Sequence, residues 1–145
     1  FWRVFRLLKA GYGTFTWPAR RMPGNEVERM DQGRKARLEE AGIALSVALE
    51  RFMGNEAMLA RYLQKFLTEE SYARLLAAVA AGECEAAGVA AHSLKSVCGT
   101  LGCESMRELV LRQEQHIRNG DWDEAVSMMP EITDSYNNIC AALRS

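Results

Sequence analysis

Residues 83–101 read Glu-Cys-Glu-Ala-Ala-Gly-Val-Ala-Ala-His-Ser-Leu-Lys-Ser-Val-Cys-Gly-Thr-Leu and run as one helical pattern that stops at Gly102. At about 100° per residue, with His92 as the reference direction, Ala90, Leu94, Val97 and Leu101 fall roughly opposite it. They form an apolar stripe that needs a core to face. His92 therefore points to solvent, and Glu85, Gly88, Lys95, Ser96 and Gly99 share its outer face, a set that is polar or very small. A helix with one apolar stripe is stable only when it packs on others, so its neighbours decide the fold.

Outward from this segment the punctuation predicts four more helices. Upstream, one covers 34–53, with a weak point at Gly42 and a stop at Gly54, and another runs from an Asn55 cap to Ala81, stopping before Gly82. Downstream, Ser105 and Glu108 have the spacing of a capping box for a helix over 104–118 that ends at Asn119-Gly120. Asp121 and Glu124 repeat that spacing and open a last helix to about Leu143, which Pro130 should bend. Short loops make neighbours antiparallel. The expected fold is all-α: an antiparallel up-and-down four-helix bundle with an extra N-terminal helix packed across one end.

Composition agrees. Apolar residues make up 48% and charged residues 26% of 145, which suits one folded domain. The net charge of −1 argues against a nucleic-acid binder, yet it hides an asymmetry. Residues 1–25 hold Arg3, Arg6, Lys9, Arg20 and Arg21 and no acid, while the rest sets 13 bases against 19 acids, a net of −6. This leader also holds Phe1, Trp2, Phe5, Tyr12, Phe15 and Trp17, half of all the aromatics. Residues 1–33 thus read as a basic, aromatic-rich leader or linker, either a membrane-surface or partner-binding segment or an added expression sequence, ahead of a domain over 34–145. Because it begins at Phe1 and not at methionine, the chain reads as a piece of something longer; its end at Ser145, just past the last helix, favours a C-terminal module or a stand-alone protein. No stretch is long and apolar enough to span a membrane. Cys84, Cys98, Cys103 and Cys140 form no CxxC pair and no zinc pattern, so they read as reduced thiols of a cytoplasmic protein.

The His92 face carries the chemistry. Two helix-interior glycines cost about 1 kcal/mol each relative to alanine. Close approach of another protein surface would explain Gly88 and Gly99, with Glu85 and Ser96 on the same docking face. Imidazole is a competent nitrogen nucleophile near neutral pH, and Lys95, one turn on, offers a cation to phosphoryl oxygens. From spacing alone the favoured reading of His92 is an ordinary surface histidine on an alanine-rich helix. His116 lacks a second ligand at metal spacing and reads as structural; Cys98, Cys103 and the methionines read as packing residues.

The stretch His92-Ser93-Leu94-Lys95-Ser96-Val97-Cys98-Gly99-Thr100-Leu101-Gly102 resembles the signature of histidine phosphotransfer (HPt) domains. In them the phospho-accepting histidine is followed by x-Leu-Lys-Gly, small residues and a helix-ending glycine. The likeness extends to Arg51–Glu56, Lys65-Phe66-Leu67 and Asn119-Gly120-Asp121-Trp122, covering about 42–145. Ser96 departs from it, because the family usually has glycine there. The resemblance implies a phosphocarrier of a two-component phosphorelay: His92 takes a phosphoryl group from a receiver-domain aspartyl phosphate, or from a sensor histidine kinase, and passes it on. Lys95 would be an electrostatic helper. It implies no cofactor of the chain's own, with Mg²⁺ in the receiver's acidic pocket. The dimerising domain of a sensor kinase fits less well, since Ser93 follows His92 where those domains carry an acid, and no glycine-rich nucleotide segment is present. A scaffold bundle with a relict phosphotransfer site is the alternative.

Overall fold

The computed structural model of the chain describes residues 30–145, and readings made for residues 1–29 lie outside them. Every regular element among the described residues is helical: α1 Gln32–Glu40, α2 Leu45–Arg51, α3 Glu56–Lys65, a 3₁₀ turn Phe66–Thr68, α4 Ser71–Ala81, α5 Cys84–Leu101, α6 Glu104–Arg118, α7 Trp122–Ser127 and α8 Met129–Arg144. The bundle consists of α4, α5, α6 and α8. Antiparallel order follows from which residues meet: Gly88 lies beside Ile117, His92 beside Glu114 and Gly99 beside Arg107, so α5 and α6 run in opposite directions about the Gly102-Cys103 turn. Tyr72 of α4 stacks on Tyr136 of α8, with ring centroids 3.8 Å apart, and its hydroxyl lies 2.9 Å from that of Thr133. That contact closes the ring of four.

One core runs through the assembly. Leu59, Leu63, Phe66, Leu75, Leu94, Leu101, Met106, Ile132 and Ile139 are fully buried, together with Leu38 and Ile43 from the N-terminal elements. Each such side chain contributes about 1.5–3 kcal/mol by leaving water.

Three of the expected helices are divided. The segment expected over 34–53 starts at Gln32, where Asp31 accepts the Arg34 amide at 2.7 Å, and it breaks at Gly42 into α1 and α2. Gly42 has φ +97°, and Glu39 accepts the Leu45 amide at 3.2 Å, so the chain turns there and does not merely weaken. The helix expected from Asn55 to Ala81 starts as foreseen, Asn55 accepting the Met58 amide at 3.0 Å, but ends at Lys65. Glu69 is extended, and its carboxylate accepts from both the amide and the hydroxyl of Ser71, starting α4 afresh. The N-cap itself is Glu70, which makes no side-chain capping bond, so no capping signal marks this break in the sequence. Pro130 does not bend a long last helix. It occupies the first turn of α8, where its missing N–H costs nothing, and α7 ends just before it.

The capping boxes also need correction. Ser105 and Glu108 lie inside α6, whose N-cap is Cys103, and Asp121 makes no capping bond. Asp121 is paired instead with His116, 3.7 Å away.

No helix among the described residues is long and apolar enough to cross a membrane.

Candidate functional site

α5 runs for 18 residues and closes on Gly102 in the left-handed conformation at φ +75°. Ala90, Leu94, Val97 and Leu101 are buried, as the periodicity requires, and His92 emerges on the opposite side with 58% of its side chain exposed. It stands between two unlike neighbours. Toward α4 lies a groove of ≈ 560 Å³, lined by Ala77, Ala78, Ala86 and Ala90 and reaching Ser93, with Val89 exposed beside it. Toward α6 lies a charged wall.

That wall is built on Glu114, a residue the sequence reading did not single out. Its side chain is only 3% exposed, and three donors converge on it: His92 Nδ1 at 3.0 Å and Arg118 at 2.8 Å on Oε1, and Lys95 Nζ at 2.7 Å on Oε2. Long side chains cover this carboxylate; it is not sunk in the apolar core. Burial pushes its proton affinity up, but the hydrogen bonds from Lys95 and His92 and the charges of Lys95 and Arg118 outweigh burial, holding it below the ordinary carboxylate value. Glu114 is therefore ionised at neutral pH.

An ionised carboxylate can only accept a hydrogen bond. In the neutral imidazole of His92, Nδ1 therefore carries the proton, and the lone pair is on Nε2, which has no partner among the described residues. The site thus presents an oriented imidazole with its Nε2 lone pair free, and two cations, Lys95 and Arg118, share the carboxylate it is bonded to.

The other residues picked out in the sequence occupy varied places. Lys95 is on the His92 face but only 20% exposed, ion-paired to Glu114. Ser96 is exposed, and its hydroxyl donates to the His92 carbonyl at 3.1 Å, turned toward the backbone. Glu85 is exposed in the first turn of α5. Gly88 and Gly99 are half-buried and face α6: a Cβ added to Gly88 would lie 3.5 Å from Ile117, and one added to Gly99 would lie 3.4 Å from the Arg107 side chain. Cys98 and Cys103 are buried, and a hydrogen bond between the two thiols and burial hold the Cys98 thiol well above its ordinary range, so it is not a thiolate. Among the described residues no group of three or more His, Cys, Asp or Glu side chains could hold a metal ion.

Glu114 was findable in principle. The turn at Gly102-Cys103 fixes the α5–α6 register, and reflecting position 92 about Cys103 lands on 114.

Residues 57–142 match the family model of the Hpt domain, more than half of the chain. Curated proteins and solved structures yield no significant match.

Proposed function

The chain belongs to the histidine phosphotransfer family, whose members serve phosphorelays, and on that premise we propose that it carries its phosphoryl group on Nε2 of His92. The observation behind this assignment is the Nδ1 contact to Glu114, which leaves Nε2 as the exposed nucleophilic atom. The donor is a receiver-domain aspartyl phosphate, or a sensor histidine kinase, and the acceptor is the aspartate of another receiver. Nε2 attacks phosphorus in line with the bond to the aspartyl oxygen. As the N–P bond forms, that P–O bond breaks, and its electrons return the aspartate to a carboxylate. The ring becomes positively charged while Glu114, still bonded to Nδ1–H, stabilises it. Lys95 and Arg118 lie close enough to shift toward the phosphoryl oxygens. Since Arg118 is largely exposed and Lys95 is already paired with Glu114, their effect is that of helpers. Return of the group to a second receiver is the same step reversed.

Mg²⁺ is expected in the receiver's acidic pocket, and this chain contributes no cofactor of its own. We assign docking to the outer face of α5, with Glu85, Gly88, Ser96 and Gly99 around His92, and a cytoplasmic setting, where receivers and their kinases act. The expected boundary at 34 moves back: the folded unit is assigned to about 30–145, since Asp31 caps α1 and Met30 is buried in the core, and the basic leader before it to a linker.

The test is transfer from a phosphorylated receiver to the wild type, His92→Gln and His116→Gln. Acid-labile, base-stable label on the wild type and on His116→Gln, absent only from His92→Gln, is the expected result. Label that persists on His92→Gln, or a wild type that accepts none from several competent donors, would overturn the reading in favour of a scaffold with a relict site.

A further inference from the structure

Arg74 lines the groove on the α4 side and is paired with Glu70, and the cations on the α6 side of the His92 face differ in what they are free to do. Lys95 and Arg118 are both paired with Glu114, within reach of a group on Nε2. Arg107 differs: no carboxylate among the described residues lies within 4 Å of its guanidinium. It is nonetheless held in place. Gly99 has no side chain, and the Arg107 stem lies across that gap, 3.4 Å at Nε and 3.6 Å at Cδ from where a Cβ would stand.

We propose that Arg107 is a docking residue for the receiver partner, its guanidinium meeting a carboxylate at the rim of the receiver's reacting face and so selecting which receivers are served. This rests on the phosphocarrier reading above. Gly99 lies seven residues beyond His92, which is about 10.5 Å along the helix. That is too far for Arg107 to touch a phosphoryl group on His92. It is well inside the contact area, because a partner burying about 800 Å² per side covers a patch of roughly 16 Å radius centred on the histidine. The charge of Arg107 is thus available to a protein and not to the phosphoryl group. A receiver's reacting face, with its aspartyl phosphate and acidic pocket, is anionic, and a guanidinium bonds a carboxylate through two parallel N–H groups. The gap over Gly99 already restricts the stem, so less side-chain freedom is lost on docking.

The experiment measures transfer from a phosphorylated receiver to the full chain over a range of chain concentrations. Arg107→Glu and Arg107→Gln are compared with wild type and with Arg112→Glu, an exposed cation about 140° further round α6. At low salt the second-order transfer constant should fall roughly tenfold for Arg107→Glu and roughly threefold for Arg107→Gln, and the gap should narrow at high salt. The rate at saturating chain should stay at the wild-type value, as should both parameters of Arg112→Glu. Thermal melts matching wild type tie the loss to docking. An unchanged second-order constant in Arg107→Glu, an equal loss in Arg112→Glu, or a loss in the saturated rate would overturn the inference. A wild type that takes no label at all would instead overturn the phosphocarrier reading.

Discussion

Nδ1 of His92 lies 3.0 Å from Oε1 of Glu114, a carboxylate on the next helix, 22 positions along the chain. The contact fixes the tautomer of an exposed ring that would otherwise be free to carry its proton on either nitrogen. It also joins the imidazole to two cations through one acid.

Glu114→Gln should therefore slow transfer without moving His92. The neutral amide removes a charge-assisted hydrogen bond, worth about 1.5–3 kcal/mol, and can meet the ring in either tautomer. The single-turnover rate of His92 labelling should fall by on the order of tenfold. An unchanged rate would show that the ring needs no orientation.

The same carboxylate sets an acid limit. Its proton affinity is lowered in the folded chain, so its contribution to stability is fully present above the ordinary value of 4.5 and is lost as pH falls through the lower, folded value. Melting temperatures of wild type and Glu114→Gln should differ at about pH 7 and converge progressively as pH falls below 4.5. A constant difference across that range would mean that the stabilisation does not depend on ionisation of Glu114.

Much of this was legible in the sequence, and the reasons are specific. Leu94, Val97 and Leu101 fix one side of α5 by periodicity alone, so the exposure of His92 follows from local spacing. The division of the expected second helix does not, because the chain leaves the helix after Lys65 and restarts at Ser71 with no capping residue to mark the break, held only by the Glu69 carboxylate on Ser71. Glu114 was overlooked for a different cause: on its own helix it is one more charged residue with an Arg four positions on, and it acquires meaning only when α5 and α6 are laid side by side.

Ser96 stands where glycine is usual in the family, yet its hydroxyl is engaged by the His92 carbonyl and leaves the ring clear. Ser96→Gly should change the labelling rate less than about twofold. It should also lower stability by roughly 0.5 kcal/mol, through the poor helix propensity of glycine. A large gain in rate would mean that the hydroxyl obstructs the partner.

Gly102 and Gly120 share left-handed backbones but not surroundings. A Cβ at Gly102 would lie 2.9 Å from both the Ala44 carbonyl oxygen and the Ala48 Cβ, whereas one at Gly120 would meet nothing within 4 Å. Gly120→Ala should cost about 1 kcal/mol of backbone strain, and Gly102→Ala about 3 kcal/mol, with overpacking added. Equal costs in denaturant unfolding would mean that α2 yields freely.

The neighbourhood of Gly102 has a wider meaning. Its carbonyl accepts the Ala44 amide at 2.7 Å, and Leu38, Ile43, Leu45, Ala48 and Phe52 are all buried in the common core. These residues precede position 57, where the match to the family model begins. The stretch that identifies the molecule is therefore shorter than the stretch that folds as one. A fragment trimmed to the recognisable part would keep every group of the His92 site while stripping the brace from the far end of its helix, so inactivity in such a fragment would report a missing buttress and not a missing nucleophile.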